Sequence, residues 1–172
     1  MARGSCMSED LLQEAIKKLV IHSVLLRESQ IHTKEKVNSL NFKSFSAKHQ
    51  AFRRIDKIES IEVSAKDDPE TIRFFYSFHY DVGARIIDAN STNEQVEEDI
   101  GLVVIEAKFE ALYMSKEVIP EEQLKAFSAN NVGYHVWPYW REYLQTTCNR
   151  MGIDPINVPF YRIQGSDLPA EN

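Results

Sequence analysis

Between residues 70 and 88 apolar and polar side chains alternate along the chain. Ile72, Phe74, Tyr76, Phe78, Tyr80 and Val82 share one parity, and Arg73, Phe75, Ser77, His79 and Asp81 the other. A two-residue period is the mark of a strand with one face buried and one wet. The same period returns over 95–115. There Val103, Ile105, Ala107, Phe109, Ala111 and Tyr113 fall on one face, and Val104, Glu106, Lys108 and Glu110 on the other. Two less regular stretches predict two more strands. One is the β-branched run 20–33, with one or two irregularities. The other is 52–65, where Ile55, Ile61, Val63 and Ala65 share a parity. Asp67, Asp68 and Pro69, and the polar run 90–93, supply turn residues between the strands. The polar stretch 33–51 has no period and reads as a long connection.

Elsewhere the spacing changes to that of helices. Ser8 can cap a helix over 9–20, with Glu9 and Asp10 in its first turn, Lys17 and Lys18 in its last, and Leu11, Leu12, Ala15, Ile16 and Leu19 as its apolar stripe. Pro120, Glu121 and Glu122 open a short helix that carries Leu124 and Phe127 and stops near Asn130 and Asn131. A long helix then starts at Pro138, because a missing N–H costs nothing in a first turn. Its stripe runs through Trp137, Trp140, Leu144, Cys148 and Met151, and Gly152 and Pro155 end it. The following PINVPFYRI stretch reads as extended. Four strands with one apolar face, followed by helices to cover that face, predict an α+β fold: a four-stranded antiparallel sheet with C-terminal helices packed on one side. At 172 residues the chain is read as a single domain over 1–172, with a flexible tail at 1–8 and a loose one at 164–172.

Composition narrows the function classes. The net charge of -6 disfavours phosphate backbones, and Lys and Arg are dispersed among acids, so nucleic acid is not an expected partner. The longest apolar runs fall far short of a membrane span, so no membrane insertion is expected, and the N-terminus has no apolar core of a signal peptide. Cys6 and Cys148 are too isolated for a disulfide framework or metal cluster, which suits a reducing, cytoplasmic setting with no metal and no cofactor. His22, His32 and His49 have no recurring partners. No glycine-rich phosphate loop, GxSxG elbow or HExxH pair occurs, and Glu97, Glu98 and Asp99 read as a solvated charge run, so an enzyme is not expected.

What stands out is aromatic area: the long helix carries both tryptophans of the chain together with Tyr139 and Tyr143. One sheet face does not need that much, so a partner subunit covers the excess or something apolar docks there. Candidate residues of an apolar docking groove are Tyr113, Met114, Ile119, Phe127, Tyr134, Trp137, Ile153 and Phe160. For Trp140 and Leu144, core or subunit contact is the stronger reading.

The text FEALYMSKEVIPEEQLKAF, followed by VWPYWREYLQTTCNRMGIDPINVPF, resembles the SecB family of protein-export chaperones. The order of four strands followed by these helices resembles it too, and the convincing part covers 96–160. Trp140 stands where the family helix carries smaller residues, and the family's acidic C-terminal helix is missing. The chain therefore looks like a divergent member, of the kind found with toxin–antitoxin modules. The resemblance implies a chaperone that binds unfolded polypeptides without ATP and assembles as a homotetramer. It places Ile105, Ala107 and Phe109 at assembly positions, and Trp140 and Leu144 join that set. It also implies docking of the SecA export motor at Glu28, Val104 and Glu106, although His32 stands where a further acid is expected. Two alternatives stay open: a dedicated chaperone of one partner, such as an antitoxin, and a small-molecule carrier using the same cavity.

Overall fold

The computed structural model describes residues 3–161 except 39, 67 and 91–100. In chain order the elements are helix α1 (Arg3–Lys18), strands β1 (Val20–Thr33), β2 (Ala47–Ala65), β3 (Asp68–Asp88) and β4 (Val103–Ser115), then helices α2 (Glu121–Phe127) and α3 (Gly133–Met151). The expected tail 164–172, the turn at 91–93 and the start of the fourth strand at 95–100 lie outside the described residues.

The four strands form one antiparallel sheet in the order β1-β4-β3-β2. Strands β2, β3 and β4 follow one another, and β1 lies beside β4, so the β1–β2 connection must cross the sheet in Greek-key fashion. The stretch read as patternless therefore has structure. Asn38 Oδ1 accepts from the Leu40 and Asn41 N–H groups, Asn41 Oδ1 accepts from the Asn38 N–H, and a 3-10 turn at Phe42–Ser44 buries Phe42 in the core.

Alternation decides which face is inside. On β3, Tyr76, Phe78, Tyr80 and Val82 are buried, and they pair across to Tyr113, Ala111, Phe109 and Ala107 of β4. Helix α3 packs over this face with Val136, Trp140, Leu144 and Cys148 all fully buried. Each large apolar side chain removed from water here stabilises the fold by about 1.5–3 kcal/mol. Among the described residues, the opposite face of the sheet carries no helix.

Two strand irregularities change the reading by parity. In β2 the register shifts between Ile55 and Lys57, so Asp56 is the extra residue. A bulge of one residue exchanges the faces beyond it. Ile55 therefore sits over Tyr80 on the covered face, whereas Ile61, opposite Phe75, and Val63 lie on the other and stay about half exposed. In β1, shifts at His22 and Arg27 bend the strand at the sheet's edge.

Helix boundaries differ as well. Helix α1 runs from Arg3 to Lys18, so Ser8 lies inside it rather than capping it, and Val20 already begins β1. Helices α2 and α3 are not separated at Asn130 and Asn131. A single wide π-type turn, Ser128–Val132, joins them, and the helix resumes at Gly133. Burial of Phe127, Val132 and Val136 along this join outweighs the turn propensity of the two asparagines. Pro138 is thus inside α3, where it cannot donate to the carbonyl four residues back. The C-terminal stop is as expected. Gly152 adopts φ 67°, a left-handed conformation that costs glycine little. Its N–H bonds the Asn149 carbonyl, and Ile153 N–H bonds the Cys148 carbonyl, each at 3.2 Å. The chain then turns back as an extended strap over 154–161, anchored by the buried Ile156 and Val158.

Candidate functional site

The strap and the flank of α3 enclose an open groove of about 710 Å³. Tyr134, Trp137, Pro138, Arg141, Phe160 and Tyr161 form much of its wall. Helical spacing puts Tyr134, Trp137 (with Pro138) and Arg141 on one flank, three to four residues apart. The strap supplies Phe160 and Tyr161 opposite. Trp137 Nε1–H donates to the Pro159 carbonyl at 2.9 Å and so ties strap to helix. The Tyr161 ring lies edge-on to Trp137 at 5.7 Å and to Tyr134 at 6.5 Å. Gly133 permits this approach, since a Cβ there would stand 2.3 Å from the Tyr161 hydroxyl. Arg53 of β2 reaches these rings, its guanidinium 4.3 Å from the Tyr161 ring centre and 5.5 Å from that of Trp137. At the outer end Arg141 lies 4.4 Å from the Phe160 ring. Flat cations on ring faces hold aromatics without consuming their apolar edges.

Of the residues expected in a client groove, Tyr134, Trp137 and Phe160 come together here. Tyr134 is 58% exposed and Phe160 78%, while Trp137 keeps 7%. The structure takes the others elsewhere. Tyr113 and Phe127 belong to the core, ring centres 5.0 Å apart, both in contact with Phe78. Ile119 is buried, its N–H bonded to the Tyr76 hydroxyl at 2.7 Å. Ile153 is half-buried against the core beside the helix stop. Met114 points to the open sheet face and lines a separate hollow with Lys18 and Val20. Aromatic crowding made Tyr113 and Phe127 look like groove residues, but strand parity turns Tyr113 inward and α2 buries Phe127 against it.

The residues assigned to assembly are likewise inside the protomer. Ile105, Ala107, Phe109, Trp140 and Leu144 are at most 3% exposed in a single chain. Among the apolar positions left open, Val20, Leu25, Leu26 and Ile31 lie one strand further out, on the edge strand β1, each about half exposed.

Glu28, Val104 and Glu106 do share the open sheet face, but the chain's own cations already sit among the acids of that face. Lys108 Nζ lies 3.4 Å from Glu28, Arg54 bonds Asp81 at 2.9 Å, and Arg27 pairs with Glu110. Glu110 also accepts from the Ser77 hydroxyl at 2.7 Å. Burial works to raise the Glu110 carboxyl, but the bonds from Ser77 and Arg27 outweigh it and hold the group below the ordinary carboxylate range. Ser77, His79 and Glu59 adjoin on this face, yet the same nitrogen, His79 Nε2, meets both Ser77 (3.3 Å) and Glu59 (2.6 Å). A hydrolytic triad needs the base and its orienting acid on opposite ring nitrogens, so this trio has the wrong arrangement.

Two side chains at this groove were not singled out from sequence. Arg53 could have been: it is the lone cation between Ala51 and Ile55 on the parity that turns inward. His135 gave no such signal. It lies beneath the groove, its Nδ1 2.9 Å from the Tyr113 hydroxyl. Burial lowers its pKa below the usual 6.5, only partly offset by a bond to the Asn131 backbone. The unfolded chain then binds the proton more tightly than the fold. The stability that His135 contributes is complete above about pH 6.5 and is lost as pH falls below it. Urea midpoints between pH 7.5 and 5.5 should decline for the wild type, and less steeply for His135→Gln. Parallel slopes would place the titration elsewhere.

No protein-family model matches the chain, and no curated protein does. Among solved structures the fold matches a SecB-like chaperone from Mycobacterium tuberculosis in complex with a ChAD peptide from an antitoxin. The TM-score is 0.61 at 17% identity, over 88% of this chain and 96% of that one. The fold is therefore SecB-like, as the sequence resemblance implied.

Proposed function

We propose that the chain is a chaperone that holds unfolded polypeptide in the α3 groove without nucleotide, a holdase. The observation that carries this reading is the groove itself. It is open, its wall is shared between aromatics of α3 and the strap, with Tyr134 mostly exposed, and polar side chains such as Glu142, Gln145 and Asn149, and it is set in an acidic molecule. Apolar area next to water binds extended segments with little demand on their sequence, and flexible contacts allow many clients. Several weak contacts on one chain add through avidity when copies assemble.

The test is suppression of aggregation of two unrelated, chemically unfolded proteins at equimolar chaperone, without ATP. Suppression of both is expected. Suppression of neither, with tight binding of one antitoxin-type peptide, would favour the second reading: a dedicated chaperone of a single partner. The antitoxin peptide held by the structural neighbour favours that alternative. A closed cavity would suit a small-molecule carrier better than this open channel does. Delivery to an export motor is the reading with least support, because Lys108 sits against Glu28.

Assembly completes the proposal. An edge strand with half-exposed Leu25, Leu26 and Ile31 and a free ladder of N–H and C=O groups is a template for a second copy. Wild type is expected to be a multimer, a tetramer on the family pattern, and Leu26→Arg to shift it to smaller species by multi-angle light scattering. A wild-type monomer at micromolar concentration would refute this.

A further inference from the structure

We infer that the chain's own strap acts as a built-in competitor for the groove, and that it displays the kind of client the groove accepts: an extended segment with an aromatic side chain next to a free backbone carbonyl. This rests on the reading of the groove as the client surface.

The strap has two parts with different roles. Ile156 and Val158 are 2% and 4% exposed and belong to the core. From Pro159 onward the strap lies on the surface, with Phe160 exposed and Tyr161 half-buried. The outer part can lift about Val158 while the inner part stays anchored. Each contact the outer part makes is one that a second chain can reproduce. The Trp137 N–H takes a carbonyl, and any residue supplies one. The space over Gly133, between Trp137 and Arg53, takes a flat ring. Arg141 takes a second ring beyond it. Nothing in this set reads sequence beyond aromatic character. The pocket beside the strap is open, but the part of α3 under Pro159–Tyr161 stays covered until a client displaces that segment.

Such competition lowers apparent affinity by the fraction of time the groove is free. If the strap is closed about nine-tenths of the time, freeing the groove raises affinity roughly tenfold. The probe is a fluorescein-labelled peptide INVPFYRI, the chain's own residues 156–163, with binding read by anisotropy on the full chain. Two variants open the strap by independent routes. Phe160→Ala/Tyr161→Ala removes its rings. Pro159→Gly leaves the rings and the seat over Gly133 intact but loosens the strap where it leaves the core.

Phe160→Ala/Tyr161→Ala is expected to bind the peptide about tenfold more tightly than wild type, Pro159→Gly about two- to fivefold more tightly, and the peptide INVPSSRI to bind none of the three proteins. Equal or weaker binding by the variants overturns the inference. So does a Phe160→Ala/Tyr161→Ala chain that no longer folds by circular dichroism, since the strap would then be part of the fold and not a removable competitor. The two proposals fail separately. Wild type that suppresses aggregation while the variants gain no peptide affinity sinks the strap alone. Variants that gain affinity while no protein suppresses aggregation sink the general holdase and leave the strap.

Discussion

Trp140→Ala is expected to lower fold stability by about 3–5 kcal/mol, enough to unfold much of the protein at 37 °C. The indole is fully buried, at 0% exposure, and stacked on Tyr143 at 6.1 Å. The residues around it come from a sheet and a helix that cannot both collapse into the space left behind. Its N–H finds no partner among the described residues. A buried donor without an acceptor costs about 1–3 kcal/mol, so Trp140→Phe removes that penalty while keeping most of the ring. The pair of variants therefore separates cavity from polarity. Urea denaturation should show a large loss for alanine and a small loss or none for phenylalanine. Equal losses would mean the indole N–H has a partner, and a small loss for alanine would mean Trp140 faces a subunit and not the protomer core.

Trp137→Ala is expected to act on stability and on client holding together. From its place in the sequence the residue could pass for a groove wall whose loss leaves melting unchanged. At 7% exposure, with Tyr161 at its edge and Arg53 over its face, it is also structural. Truncation should cost about 3 kcal/mol and remove the groove's inner wall. Trp137→Phe keeps a ring and loses only the bond to Pro159, a change of about 1 kcal/mol. Thermal melts and aggregation assays on the same samples read the two effects. Alanine should fail in both, and phenylalanine should stay folded. A Trp137→Ala protein that melts like wild type would show that the strap contacts carry no stability.

The strands were legible because a period of two is a direct image of a sheet with one dry face. Val20 and Thr33 bound β1 where the β-branched run begins and ends. Strand parity failed where Asp56 bulges, since one extra residue reverses the faces and no local propensity announces it. Helix joints were less legible than helix bodies. Asn130, Asn131 and Gly133 spell a stop, but Phe127, Val132 and Val136 bury enough surface to carry the chain through it. The groove was half legible. Tyr134, Trp137 and Phe160 could be named from aromatic crowding, but Tyr113 and Phe127 from the same crowding went to the core. Crowding does not say which side of a helix meets the sheet. Arg53 and Tyr161 are far apart in the chain, and their meeting depends on how the strap returns across α3.

The claim that clients lie along α3 is tested most directly by site-specific photocrosslinking. A benzoylphenylalanine replaces Tyr134, whose side chain is more than half exposed and whose exchange leaves the core intact. A second protein carries the same group at Ile61, about half exposed on the helix-free face. Each is irradiated with reduced, carboxymethylated lactalbumin, which stays unfolded in buffer. The account predicts a strong adduct from position 134 that excess INVPFYRI peptide suppresses, and little or none from position 61. Adducts from position 61 alone, or adducts from 134 that the peptide leaves untouched, would contradict it.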